Sequence, residues 1–131
     1  MSHIARIDLI VKDLDALDRA CKKIGATLVR DAKQYIWYAG QKKRCDAAIR
    51  IPGCSYEVGV IKGGDVNNPS YSLEADFWSS GGLTQKIGRD AGLLKQHYGV
   101  ELARKHYESQ GYMLQVETKE NGELVVTASR G

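Results

Sequence analysis

The chain has 131 residues, 43% hydrophobic and 27% charged, which predicts one globular domain spanning residues 1–131 and excludes a disordered chain. The formal net charge of +3 is too small to require a polyanionic partner. Three cysteines without zinc-ligand spacing, no targeting segment and no apolar run of about 18–20 residues predict a cytoplasmic protein with reduced thiols and no membrane span.

The first third of the chain predicts three strands and a helix. Residues 4–11 alternate between apolar and polar side chains, so a strand with one buried side is expected. Asp13 predicts the N-cap of a helix that ends at Gly25. Strands are expected next at residues 26–30 and 35–38, the second rich in side chains that favour sheets.

The middle of the chain predicts three more strands and the turns that separate them. Apolar residues alternate in each of these segments, which are residues 45–51, 56–60 and 71–78. Gly40–Arg44 predicts a basic turn before the first of them. Gly63–Asp65 predicts the end of the second, and Asn67–Pro69 predicts a loop before the third.

The last third predicts two helices and a hairpin. Glycines interrupt a helical region from about residue 83 to about residue 110, so a short helix is expected before a longer one from about Leu93. The longer helix has two apolar rows, which are Leu94, Tyr98 and Leu102 on one side and Val100, Ala103 and Tyr107 on the other. The second row predicts contact with another subunit, or a kink at Gly99 that merges the two rows. Asn121-Gly122 predicts the turn of a β-hairpin.

The order of these elements predicts the fold class. So few helices cannot supply the crossovers of an all-parallel sheet. We therefore expect an α+β fold, with a mostly antiparallel sheet, two main helices packed on one face and a C-terminal β-hairpin. Within the longer helix, Glu101–Lys105 and Arg104–Glu108 have the i,i+4 spacing of stabilising ion pairs.

The segment Tyr71–Trp78 carries the first candidate site. Its odd-numbered residues are apolar and predict a core face, whereas Glu74, Asp76 and Trp78 fall on the other face. Glu57 is out of phase with its apolar neighbours and is expected to share that polar face. The three carboxylates and the indole could hold a ligand, a cation or a partner, or serve an acid/base pair. The alternative is the ordinary solvated face of an antiparallel sheet.

A basic and aromatic segment is the second candidate site. Trp37 precedes Lys42, Lys43 and Arg44, and aromatic faces beside cations suit nucleotides or single-stranded nucleic acid. Residues 1–50 carry eleven lysines and arginines against six acidic residues, whereas the remainder carries eight against ten. The alternative is a basic hairpin tip that protects an edge strand.

Several short motifs together resemble a known family. They are Met1-Ser-His3, the helix Asp13–Gly25, Tyr56-Glu-Val-Gly59, Tyr71-Ser-Leu-Glu-Ala-Asp76 with Trp78, Leu94-Lys-Gln-His-Tyr98, Gln110-Gly-Tyr112 and a hairpin turn at Gly122. In order and spacing they resemble a domain-of-unknown-function family that includes a conserved hypothetical plastid and cyanobacterial open reading frame, with bacterial and phage homologues. The resemblance implies no known catalytic residues, and it implies an accessory or adaptor role beside ATPases of the AAA type.

These observations favour a binding protein over an enzyme. No Ser/His/Asp order, phosphate-binding glycine loop or zinc motif is present, and His97 and His106 point to opposite sides of their helix. No catalytic residue, cofactor or metal site is therefore assigned. We expect a small non-enzymatic adaptor with a protein partner, which could be a second copy of itself. The alternatives are a nucleotide or nucleic-acid binder at Trp37 and Lys42–Arg44, and a metal-dependent enzyme using Glu57, Glu74 and Asp76.

Overall fold

The structure, a computed structural model, describes residues 3–130, so Met1 and Ser2 of the family resemblance lie outside the described residues. Twelve helices and strands are used below. They are β1 (Ala5–Val11), α1 (Leu14–Lys23), β2 (Thr27–Val29), β3 (Gln34–Ile36), β4 (Lys42–Arg44), β5 (Ala47–Arg50), β6 (Val58–Asp65), β7 (Asn68–Ala75), α2 (Leu83–Ile87), α3 (Gly92–Glu108), β8 (Tyr112–Thr118) and β9 (Leu124–Arg130).

The core of the fold is a five-stranded sheet in the order β1-β7-β6-β5-β2, and every pairing in it is antiparallel. Alternate strand residues such as Ile49, Val60 and Leu73 point into the main core, which α1, α2 and α3 complete on one face of the sheet. The predicted α+β class, the helices on one face and the C-terminal hairpin are confirmed.

Helix α1 forms as its sequence predicts. The Asp13 side chain caps it by accepting a hydrogen bond of 3.0 Å from the Ala16 backbone N–H. Leu17 and Cys21 on its apolar stripe are fully buried against the sheet. The chain then leaves the helix through Gly25, whose φ of +78° favours glycine.

The β6–β7 hairpin is longer than the sequence predicts. The prediction that Gly63–Asp65 ends a strand is wrong, because β6 continues through both glycines and Asp65 pairs with Asn68. The predicted loop at residues 67–69 is also wrong, since the turn consists of Val66 and Asn67 and β7 begins at Asn68. Gly64 permits this path, because its φ is +74° and a Cβ there would meet the Asn68 carbonyl oxygen at 2.7 Å.

A second, two-stranded sheet covers the face of the main sheet that lies opposite the helices. The predicted basic turn at residues 40–44 is wrong in its second half, because Lys42–Arg44 forms strand β4 and pairs with β3. The strand predicted to reach Tyr38 ends at Ile36, and the chain reverses through the helical turn Tyr38–Gly40. We call the β3–β4 hairpin the flap, and its inward side packs with Ala48 in a second core cluster.

Helix α3 is continuous through Gly99, so the kink that would merge its two apolar rows does not form. Leu94 and Tyr98 of the first row are buried in the main core. Val100 and Ala103 of the second row face the β8–β9 hairpin of the same chain. The second row therefore contacts an intramolecular element, which the sequence pattern did not identify.

Two ion pairs join α3 to α1. The predicted Glu101–Lys105 pair is wrong, because Glu101 contacts Arg19 at 3.3 Å and Lys105 contacts Asp13 at 2.6 Å. Arg19 of α1 and the N-cap Asp13 are thus the tertiary partners, while Arg104 of α3 also contacts Glu101 at 3.5 Å. The predicted Arg104–Glu108 pair forms at 3.5 Å.

The C-terminal hairpin turns at the predicted Asn121-Gly122. Gly122 has a φ of +87° and donates to the Lys119 carbonyl, while the Lys119 N–H donates to the Glu123 carbonyl at 2.8 Å. The seven residues of β8 then pair with the seven of β9. Within residues 3–130, no helix is long and apolar enough to cross a membrane.

Candidate functional site

The segment Tyr71–Trp78 is only partly a strand. Strand β7 ends at Ala75, so Asp76 and Trp78 do not alternate with Glu74 on one sheet face, as the sequence predicts. Leu73 and Ala75 are fully buried, and Tyr71 and Phe77 pack against the core, as expected. The predicted core face is therefore present, while the predicted polar face is divided among different environments.

Asp76 holds the turn that follows β7. Its Oδ1 accepts a hydrogen bond of 2.9 Å from the Trp78 backbone N–H, and the residue is only 1% exposed. The turn leads into the helical turn Ser79–Gly81 and leaves the Trp78 side chain 44% exposed. Oδ2 of Asp76 is buried without a hydrogen-bond partner in the described residues. Asp76 thus orders the backbone that presents Trp78.

Glu74 lies beneath the flap. Its carboxylate accepts a hydrogen bond from the Tyr35 hydroxyl and forms an ion pair of 2.7 Å with Lys43 Nζ. Burial is the main cause that raises the pKa of Tyr35 above its usual range, and the hydrogen bond to Glu74 adds to it. The Tyr35 ring lies over Gly59, where a Cβ would overlap it. Glu74 therefore anchors the flap to the sheet.

Glu57 fastens the other end of the flap. Its Oε1 accepts a hydrogen bond of 2.9 Å from the Ile36 N–H, and its own N–H donates to the Ile36 carbonyl at 2.8 Å. Its Oε2 contacts Arg50 Nε at 2.9 Å. Both carboxylate oxygens of Glu57 are thus engaged within the chain.

The two candidate sites therefore meet and partly neutralise each other. The expectation that Glu57, Glu74 and Asp76 share one acidic sheet face is wrong. The flap covers the sheet at Glu57 and Glu74, where a solvated face is the usual outcome, and Asp76 lies in the turn after β7. Residues 3–130 include no group of three or more His, Cys, Asp or Glu side chains that could hold a metal ion. The hydrogen bonds and ion pairs given above for Glu57, Glu74 and Asp76 are all to groups within the chain.

The basic and aromatic segment is divided by the two sides of the flap. Trp37 packs against the second core cluster, and Lys43 points inward to Glu74. Lys42 and Arg44 alternate with Lys43 and are exposed on the outer side, close along the chain to Tyr38, which is 43% exposed. These last three side chains are therefore exposed to an anionic or stacking ligand.

A groove between α3 and the C-terminal hairpin is a surface that the sequence reasoning missed. It measures about 330 Å³, and its lining consists of Gln96, Gly99, Val100, Ala103, Glu123, Leu124 and Val126. Large apolar side chains remain exposed on the same two elements, and they are Leu102, Tyr107, Met113 and Val126. The two apolar rows of α3 were the signal, since one row had no predicted partner in the chain.

A second groove, of about 390 Å³, lies between the end of β5, Ile36 of the flap and the Pro52–Ser55 loop. Its two charged side chains, Arg50 and Glu57, form an ion pair with each other. Burial raises the pKa of the Cys54 thiol in this groove, so the thiol stays protonated at neutral pH and is a poor nucleophile.

Comparison of the chain with protein-family models, with curated proteins and with solved structures found no match. The family resemblance therefore stays a prediction, and the candidate surfaces rest on their own geometry.

Proposed function

We propose that this protein is a small non-enzymatic binding protein whose partner docks on the groove between α3 and the β8–β9 hairpin. The observation that carries the proposal is the groove itself, whose lining includes the apolar side chains of Val100, Ala103, Leu124 and the 38% exposed Val126. Apolar side chains clustered beside a groove are typical of protein interfaces, whereas single ones scattered over a surface are ordinary.

The remainder of the molecule supports this choice. Glu57 and Glu74 hold the flap, and Asp76 holds the turn after β7. The carboxylates of the enzyme alternative are therefore engaged in hydrogen bonds within the chain. The accessory role that the family resemblance implies needs a protein-binding surface of this kind.

The proposal is tested by placing a charge in the groove. Val126→Asp adds a carboxylate to the lining, and Val66→Asp makes the same chemical change at the β6–β7 turn, where Val66 is 95% exposed. The proposal is supported if a protein binds the wild-type chain and V66D but binds V126D at least about tenfold more weakly. The reason is that an interface does not tolerate an unpaired buried charge. Equal retention by both variants would overturn the proposal, provided that circular dichroism finds both folded.

A nucleotide or nucleic-acid binder remains the alternative, and the outward side of the flap favours it. Exposed Lys42 and Arg44 could contact phosphates while Tyr38 stacks on a base. Titration with mononucleotides and oligonucleotides at two salt concentrations decides it. Binding that weakens with salt and is lost in a Lys42→Gln, Arg44→Gln double variant supports the alternative, and salt-independent or absent binding excludes it.

A further inference from the structure

The outer edge of β9 is an unprotected strand edge. Among residues 3–130, β8 is the only strand that pairs with β9. Between Glu123 and Arg130 the edge has no charge, proline or glycine, and Val125, Val126 and Thr127 are β-branched. Exposed edge strands usually carry such interruptions because an open row of backbone groups templates pairing with another chain.

The alternation of hydrogen-bonded and non-bonded residue pairs along the hairpin identifies which backbone N–H and C=O groups of β9 do not bond to β8. These are called the open groups. The Lys119 N–H donates to the Glu123 carbonyl, and hydrogen-bonded pairs alternate with non-bonded pairs along an antiparallel ladder. With Thr118 opposite Leu124, residues 125, 127 and 129 bond to β8. The backbone groups of Val126 and Ala128, and those of Leu124 and Arg130, therefore point to the free edge.

We propose that a second copy of this chain pairs its β9 with this edge, so that two hairpins form one four-stranded antiparallel sheet about a two-fold axis. The inference rests on the proposed function, because it names the partner for the same part of the molecule, which α3 and the β8–β9 hairpin form. A two-fold axis perpendicular to the sheet at Thr127 pairs all seven residues of β9. It sets Val126 opposite Ala128 of the second copy, and the open groups of these two residues then bond to each other.

The apolar side of the hairpin explains why a second copy fits. Leu124, Val126 and Ala128 lie on one side of β9, and exposure rises from half-buried Leu124 to 38% at Val126 and to exposed Ala128. A two-stranded hairpin is marginally stable alone, and three or more strands with an apolar face stabilise it. Pairing with a second β9 places apolar Ala128 beside Val126 and extends this face across both copies.

The test combines the solution mass of the full chain with hydrogen exchange of single amides. Light scattering over a wide concentration range should give the mass of two chains. The amides of Val126 and Ala128 should be protected in that dimer, although β8 does not bond to them. Ala128→Pro removes one open N–H and leaves the β8 ladder intact, so the dimer dissociation constant should rise about tenfold or more. Ala128→Val keeps the N–H and should keep the dimer.

Three results would overturn the inference. One is a monomer in which Val126 and Ala128 exchange freely. Another is a dimer that A128P does not weaken while Val125 and Thr127 stay protected, because the copies would then meet elsewhere. The third is a monomer that binds a different protein with the V126D sensitivity described above, in which case the proposed function holds and the second copy is the wrong partner.

Discussion

The Tyr35 hydroxyl of the flap donates a hydrogen bond to the Glu74 carboxylate of the main sheet. This contact joins two segments that are distant in sequence and that the residue pattern alone assigned to separate candidate sites. It converts a glutamate expected on an open face into an anchor beneath a fully buried aromatic ring.

Replacing Gly59 with alanine should destabilise the protein by about 1–3 kcal/mol or more, because the new methyl group overlaps the Tyr35 ring. The ring is fully buried and its hydroxyl is bonded to Glu74, so it cannot move aside cheaply. Urea unfolding measures the change in the free energy of unfolding. Gly63→Ala on the same strand is the matched control, since nothing lies within 4 Å of a Cβ there. Equal stabilities for the two variants would contradict the packing of the flap.

Replacing Tyr35 with phenylalanine should cost about 1.5–3 kcal/mol, because it removes a hydrogen bond to a charged group. Tyr56→Phe removes a hydroxyl bonded at 2.7 Å to the Ser80 hydroxyl and should cost only about 0.5–1.5 kcal/mol. Urea unfolding at neutral pH measures both losses in the free energy of unfolding. A smaller loss for Y35F than for Y56F would argue that Glu74 does not anchor the flap through this bond.

Local signals in the sequence were sufficient for much of the fold. Asp13 and Gly25 bound a helix through capping and a positive φ, which depend on neighbouring residues alone. The alternation that buries Leu73 and Ala75 has the period of a strand, so the core side of β7 could be predicted. Too few helices for parallel crossovers predicted the antiparallel sheet.

The candidate site could not be predicted because it depends on what covers each face. A strand's alternation separates two sides, but it does not say whether the second side meets water or another element. Lys43 and Glu74 are 31 positions apart, and only the folding of the flap onto the sheet brings them within 2.7 Å. The same applies to Glu101, because only the packing of α3 on α1 brings its carboxylate within 3.3 Å of Arg19.

The contact between Asp13 and Lys105 should link the stability of the α1–α3 packing to acid. The Lys105 side chain is the main cause that lowers the pKa of Asp13, and the Ala16 N–H adds to it. A carboxyl whose pKa is lowered by folding contributes stability above its ordinary pKa, near 3.8, and loses it as the pH falls through the lowered value. The stability that the ionised Asp13 carboxylate provides should therefore be present at neutral pH and decline progressively as the pH falls below about 4.

Two substitutions at Asp13 separate its roles. Asp13→Asn keeps the helix cap and loses the ion pair with a half-exposed lysine, which should cost about 0.2–1 kcal/mol. Asp13→Ala loses both and should cost about 0.5–2 kcal/mol. Unfolding at pH 7 and at pH 3 provides the comparison. D13N should approach the wild type at the lower pH, whereas D13A should remain less stable because the neutral carboxyl of the wild type still caps the helix. A D13N penalty that persists unchanged in acid would contradict the assigned ion pair.

The buried thiol of Cys21 should weaken the protein in alkaline solution. Burial raises the pKa of Cys21 to about 12, and the nearby Asp18 adds to the shift. In the unfolded chain the thiol ionises near its ordinary pKa of 9.0, so between pH 9 and about 12 the unfolded state has lost a proton that the folded state retains. The free energy of unfolding then falls by about 1.4 kcal/mol per pH unit from this group alone.

Cys21→Ala removes that contribution, so its free energy of unfolding should decline less steeply than that of the wild type from pH 9 to pH 11. In both proteins the free energy of unfolding also declines above about pH 10 because of Tyr35, whose pKa is likewise raised by burial. The difference between the two slopes cancels this shared contribution. The alanine variant should be less stable at neutral pH, where it leaves a small cavity. Parallel slopes for the two proteins would mean that the Cys21 thiol ionises equally well in the folded chain, which is incompatible with its complete burial between α1 and the sheet.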